Sequence, residues 1–212
     1  MKKVFVIAML TFFGITQAQV TFKPGLRAGL NFAHFTIGEG YTNNGGYYDI
    51  NGQYVSNNKL TDYKAKTDFN VGFYGALHLT KYYTLQPEIN YSRQGSNIEY
   101  TSGSSRTTTK VDLGYLSVGI INKFTFTDKF HFLLGPTIDF IVDKPILIAR
   151  NVDSDVDLAF TAGFGYNFTK NFGIEGRVKK GIIPAYYTSG YSDGNHTNVV
   201  FQVGATYTFD LK

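Results

Sequence analysis

The chain has 212 residues, of which 43% are hydrophobic, 17% aromatic and only 17% charged, enough for one domain with a sizeable buried interior. Its net charge of +4 falls to +2 once Lys2 and Lys3 are set aside with the leader described below, which leaves no electrostatic footprint for nucleic acid. Without cysteine, disulfide frameworks, thiolate metal sites, cysteine nucleophiles and a lipidated N-terminal cysteine are all excluded, and a mean hydropathy of −0.13 excludes a bundle of transmembrane helices.

Residues 1–18 are predicted to be a signal peptide. Met1-Lys2-Lys3 supplies positive charge, Val4 to Ile15 is apolar except for Thr11, and Thr16-Gln17-Ala18 fits the small-x-small rule for cleavage. The apolar run is well short of the ~20 residues that a spanning helix needs. The mature domain is then 19–212.

From there the pattern is alternation with a period of two, the mark of strands with one apolar face. Eight such runs follow, at Leu26–Phe32, Phe69–Leu79, Leu85–Tyr91, Lys110–Lys123, Phe130–Val142, Val156–Phe168, Phe172–Lys180 and Val199–Phe209. The fourth changes parity: Val111, Leu113 and Tyr115 share one phase and Leu116, Val118 and Ile120 the other, so a β-bulge is expected near Tyr115. Long links rich in Tyr, Asn and Gly follow the odd runs, over 36–67, 95–109, 143–155 and 181–198. Short links follow the even runs and repeat one motif: Leu79-Thr80-Lys81-Tyr82-Tyr83-Thr84-Leu85, Phe126-Thr127-Asp128-Lys129-Phe130-His131-Phe132 and Phe168-Thr169-Lys170-Asn171-Phe172-Gly173-Ile174. One up-down strand pair per repeat predicts an all-β, antiparallel, up-and-down barrel, with eight strands, or ten if 97–101 extends into a further hairpin.

Alternation does not say which face is inside. The polar face carries Gly, Asn, Ser, Thr and Tyr rather than the Lys and Glu with which a soluble barrel meets water. Tyr82, Tyr83, Phe126, Phe130, Phe168 and Phe172 bracket the short turns, with Tyr207 and Phe209 at the far end, as an aromatic girdle at a membrane interface requires. Short turns at one rim and long loops at the other, on strands that need only ~9–11 residues to span, describe a transmembrane barrel with periplasmic turns and extracellular loops. The apolar face is therefore expected to meet lipid.

Leu85-Gln86-Pro87-Glu88-Ile89-Asn90-Tyr91 with Gly95, then Tyr115-Leu116-Ser117-Val118-Gly119 with Lys123, then Gly135-Pro136-Thr137-Ile138, resemble successive signatures of the PorT-like outer-membrane β-barrel family, of small OmpA/OmpX-type architecture. The resemblance spans the mature chain. It implies the outer membrane of a Gram-negative bacterium and an accessory role in protein secretion.

Eight strands enclose a lumen just wide enough for side chains to fill it. The inward phase holds Arg27, Arg177 and Lys179 against Glu88, Asp139 and Glu175, an equal count of each sign. Buried charges must be paired, so a salt-bridged plug is expected in preference to an ion pathway. Asp153, Asp155 and Asp157 alternate at a loop-to-strand junction and could hold Ca²⁺, but Leu158 and Phe164 break the EF-hand template. Asp193, His196, Ser189 and Ser192 share the last long link with no GxSxG or HExxH context, so no catalytic or metal site is assigned. His34, His78 and His131 are expected to make structural hydrogen bonds. In the first long link Tyr41, Tyr47, Tyr48, Tyr54 and Tyr63 stand amid Asn and Gly, the composition of adaptable recognition surfaces and equally of a lid packed over the barrel mouth.

The expected function is thus a monomeric, non-catalytic scaffold or interaction module without cofactor, touching membrane lipid along its wall and a protein partner at its surface loops. A narrow gated conduit for a small solute or ion is the alternative from the transport class. A barrel enzyme is the third reading.

Overall fold

A computed structural model describes residues 20–36, 46–48, 54–56, 60–102, 105–144, 154–183 and 197–210. The leader, Tyr41, Asp153, Ser189, Ser192, Asp193 and His196 lie outside the described residues. Every regular element among the described residues is a strand: β1 (Thr21–Phe35), β2 (Gly46–Tyr48), β3 (Tyr54–Ser56), β4 (Leu60–Lys64), β5 (Lys66–His78), β6 (Tyr83–Ser102), β7 (Ser105–Thr125), β8 (Phe130–Asp143), β9 (Val156–Asn167), β10 (Phe172–Gly181) and β11 (Asn198–Thr208).

Eight of these close into a ring. The hydrogen-bonded order runs β6-β5-β1-β11-β10-β9-β8-β7, and β7 returns to β6; every pairing is antiparallel. Strand β4 lies outside the ring, on the far end of β6, and β2 pairs only with β3.

The burial pattern assigns the faces. Arg27, Asn31, Gln86, Glu88, Asn90, Ser92, Gln202 and Thr206 are buried, whereas Phe73 is 68% exposed and Phe164 69%, with Leu30, Val71, Ile89, Val118, Ile138 and Val203 exposed beside them in the alternate phase. Polar side chains fill the inside and the apolar band faces outward, the arrangement that only a lipid exterior rewards.

The repeated short-turn motif has a physical cause. In each copy the Thr hydroxyl oxygen accepts from the backbone two and three residues on: Thr80 from Tyr82 and Tyr83 (3.2 and 3.0 Å), Thr127 from Lys129 and Phe130 (3.3 and 3.0 Å), Thr169 from Asn171 and Phe172 (3.2 and 2.9 Å). The carbonyl two residues after each Thr then accepts from the end of the neighbouring strand around the rim, so Thr125 N bonds Tyr82 O, Asn167 N bonds Lys129 O and Thr208 N bonds Asn171 O, each at 2.8 Å. The motif both closes its own hairpin and ties it to the neighbouring strand around the rim.

Two expectations change. The link over 95–109 is not a loop: β6 and β7 pair continuously from Tyr83↔Phe124 to Ser102↔Ser105, well past the last β7–β8 partners, Gly114↔Asp143. The strand pair thus outruns the ring, and β4 adds to it through Leu60↔Thr101 to Lys64↔Asn97. The irregularity at Gly114/Tyr115 is present, but it lies in the pairing with β8, where Ile141 and Asp143 find partners and Val142 does not. Strand β7 keeps its facing, and Val111, Leu113, Tyr115 and Ser117 all point inward. The parity change in the sequence marks a change of environment, from lipid-facing apolar residues to inward-facing ones.

Candidate functional site

The interior is stacked in layers. At the lowest, Glu88 Oε1 accepts from Arg177 Nη2 (2.8 Å) and Gln86 Nε2 (2.7 Å), and Oε2 accepts from Arg177 Nη1 (2.8 Å), Asn90 Nδ2 (3.1 Å) and Arg27 Nη1 (3.3 Å). Glu175 Oε2 accepts from Arg177 Nε at 3.0 Å and Nη2 at 2.7 Å. Its Oε1 stands 3.2 Å from His131 Nε2 and 3.6 Å from Lys123 Nζ. Lys179 pairs with Asp139 and donates to Ser117 Oγ at 3.3 Å. All six charged residues expected in the lumen lie there, each at most 5% exposed. A guanidinium forked onto two carboxylates satisfies the geometry that makes a buried ion pair tolerable.

Three interior participants were absent from that set. Lys123 and His131 both touch Glu175, and Asp157, also buried, accepts from Ile183 N at 3.0 Å. Their strand phase carried the signal, since Lys123 shares parity with Ser117 and His131 with Asp139. Gly165 makes room for the histidine: a Cβ there would stand 2.1 Å from His131 Nε2.

Above the charges lies an amide layer. Asn31 Nδ2 donates to Phe69 O (2.9 Å), Ser92 Oγ (2.8 Å) and Arg93 O (2.8 Å), while its Oδ1 accepts from Asn70 Nδ2 (2.7 Å) and Gln202 Nε2 (3.0 Å). Higher still the inside turns apolar, and Phe35, Tyr63, Ile98, Val111, Leu113 and Tyr115 form one buried cluster with Ile141 against it. The cavity between the charge and amide layers, lined by Arg27, Glu88, Arg177 and Gln202 among others, measures about 10 Å³, the room that a single water requires.

At the mouth, Lys66 is buried and paired with Asp68 (2.6 Å) and with Asp112, and Arg93 stands 3.7 Å from each of those carboxylates. On the strand pair beyond the ring, Lys64 bonds Glu99 at 2.7 Å and Arg106 approaches it at 3.7 Å. The hydrogen bond from Lys64 holds the Glu99 carboxyl below the ordinary carboxylate value.

The candidate recognition tyrosines divide. Tyr47 and Tyr48 lie in β2 and Tyr54 in β3, where Tyr48 and Tyr54 are register partners. Tyr63 is only 8% exposed and packs edge-on to Phe35 with ring centroids 6.3 Å apart, so its ring belongs to the mouth cluster rather than to the outer surface. Of the three alternating aspartates, Asp155 is exposed and pairs with Lys144 while Asp157 turns inward. Among the described residues no group of three His, Cys, Asp or Glu side chains could hold a metal ion.

The aromatic girdle lines the short-turn rim. Tyr82, Phe126, Phe130, Phe168, Phe172, Tyr207 and Phe209 are all more than a third exposed, and Tyr83 is half-buried, its hydroxyl donating to Asn122 Oδ1 at 2.7 Å. Centroid distances of 4.8 Å for Phe130–Tyr166, 5.1 Å for Tyr166–Phe168 and 5.2 Å for Tyr207–Phe209 show neighbouring rings in contact.

Residues 17–187 match the family described as outer membrane protein beta-barrel domain. Among solved structures, the attachment invasion locus protein Ail of Yersinia pestis is similar at 14% identity and a TM-score of 0.45, over 88% of this chain and 98% of that one. OprG of Pseudomonas aeruginosa is similar at 15% identity and 0.44, over 92% and 99%. No curated protein matches the sequence.

Proposed function

We propose, from the premise that the chain belongs to the outer membrane protein beta-barrel domain family and lies in the outer membrane, that it is a non-catalytic, monomeric anchor whose work is recognition by the strands standing beyond the barrel. The observation that carries this reading is the contrast between a filled interior and a built exterior. Inside, forked ion pairs and an apolar mouth cluster occupy the lumen, and among the described residues the cavity between the charge and amide layers holds about 10 Å³. Outside, β4, β6 and β7 continue as a three-stranded sheet whose lower rows, Ile98, Val111 and Leu113, are rooted in that cluster. A sheet fixed at its base offers a surface with little ordering entropy left to lose on binding.

The partner is proposed to be a protein, with the tyrosines of the first long link as adaptable contacts. The PorT-like signatures around Leu85–Tyr91 and Gly135–Ile138 support protein secretion as the setting, in an accessory role.

In-cell cross-linking and pull-down in mild detergent test the reading, comparing the natural chain with a variant in which 97–110 is replaced by a tight turn. A specific protein recovered by the natural chain and lost with the trimmed sheet is the expected result. An identical set of cross-linked proteins from both chains contradicts it.

A further inference from the structure

The short-turn rim carries charges that the fold does not use. Lys81 and Asp128 follow the Thr of the first and second turns, and among the described residues neither enters an ion pair. They face one cleft of about 230 Å³, lined by Lys81, Tyr82, Thr125, Phe126, Thr127 and Asp128. The Lys81 ammonium sits 5.5 Å from the Tyr82 ring centroid, at the level of the girdle. The Thr125 N to Tyr82 O bond, 2.8 Å, ties the two turns together and fixes the width of the cleft. Thr127 Oγ1 accepts two backbone N–H groups, so its hydroxyl hydrogen remains to be donated.

The stretch of rim between the third turn and the end of β11 is different. Beside Lys170, Asn171 Nδ2 donates to Thr208 O at 2.8 Å and to Asp210 Oδ2 at 3.0 Å, and Asp210 pairs with Lys23. There the polar groups satisfy one another, whereas the first cleft holds an ammonium and a carboxylate apart, beside exposed rings, where membrane headgroups begin.

We propose that this cleft is a headgroup site for a glycerophospholipid bearing a primary amine, its phosphodiester on Lys81 and its amine on Asp128. The two charges complement a zwitterion. A phosphatidylglycerol offers Asp128 only neutral hydroxyls and leaves the carboxylate charge uncompensated, and a phosphatidylcholine has no N–H to donate. Tyr82 and Phe126 supply the apolar walls along which the upper chain segments lie.

The chain has no tryptophan, so Tyr82→Trp in the full-length protein creates a single reporter on the wall of the cleft. The refolded protein is placed in phosphatidylcholine vesicles containing a minor fraction of bromoacyl phosphatidylethanolamine, phosphatidylglycerol or phosphatidylcholine, and quenching is compared. The proposal predicts severalfold stronger quenching by the ethanolamine lipid, loss of that preference with Asp128→Asn, and a fall to the bulk level for all three with Lys81→Gln. Equal quenching by the three lipids, or the strongest by phosphatidylglycerol, overturns it, the first showing an undifferentiated annulus and the second a simple anion site. Phe126→Trp reports from the opposite wall should the first reporter fail to refold.

Discussion

Glu88 receives five donated hydrogen bonds, three of them from guanidinium groups. Its replacement by Gln keeps the volume but leaves Arg27 without its ion-pair partner and Arg177 with Glu175 alone. Breaking a buried pair from one side costs roughly 3–5 kcal/mol, because the surviving charge stays buried. Glu88→Gln is therefore expected to lower the urea midpoint of the refolded protein clearly, with the unfolding slope unchanged. An unaltered midpoint would show that water already screens this layer. Glycine acts at the same scale at position 95, where φ is +130° and an added Cβ would stand 2.0 Å from Val111 O. Side chains rarely adopt that backbone, and the contact is with rigid backbone rather than a movable side chain.

Single turns decide how the hairpins join. Thr127→Val keeps the shape but removes the oxygen that accepts from Lys129 N and Phe130 N. Loss of such a local acceptor costs about 1 kcal/mol, so a small downward shift of the thermal transition in detergent is expected, with the fold intact. The protruding sheet adds a dependence on pH. Glu99 is held below its ordinary carboxylate value by Lys64. A depressed carboxylate contributes stability above the unfolded value and loses it as pH falls through the folded one. Hydrogen exchange along 97–101 should therefore speed up, relative to its intrinsic rate, as the solution is acidified through the carboxylate range, and Glu99→Gln should remove that response. An equal response in the variant would assign it to another group.

How far these elements were legible follows from what each strand faces. Where lipid lies outside, the alternation of Leu26, Ala28, Leu30 and Phe32 against Arg27 and Asn31 fixes both strand and facing, and the lumen charges follow from parity alone. Beyond the membrane that rule lapses. Val111, Leu113 and Tyr115 point inward because the mouth is closed by apolar side chains, so one strand displays two apolar phases, while the irregularity at Gly114/Tyr115 leaves its extra residue, Val142, on β8. The same change of surroundings hid the length of β6 and β7, since Gly95 to Thr109 has the composition of a loop, although Thr107-Thr108-Thr109 is a β-branched run suited to a strand. Lys66 pairs with Asp112, 46 residues away, a contact that only the assembled β6–β7 pair supplies.

For the whole molecule, eight strands enclose a space that side chains can fill, and here they do so in charged, amide and apolar layers. On the proposed reading the barrel is a support, and its outer sheet is the part that acts. Single-channel recording of the refolded natural chain in a planar bilayer tests this most directly. The account predicts no reproducible discrete conductance at any applied voltage, and none after the 97–110 strand tips are trimmed, because the plug below them is intact. Reproducible steps from the natural chain would contradict it and make the lumen, not the sheet, the working part.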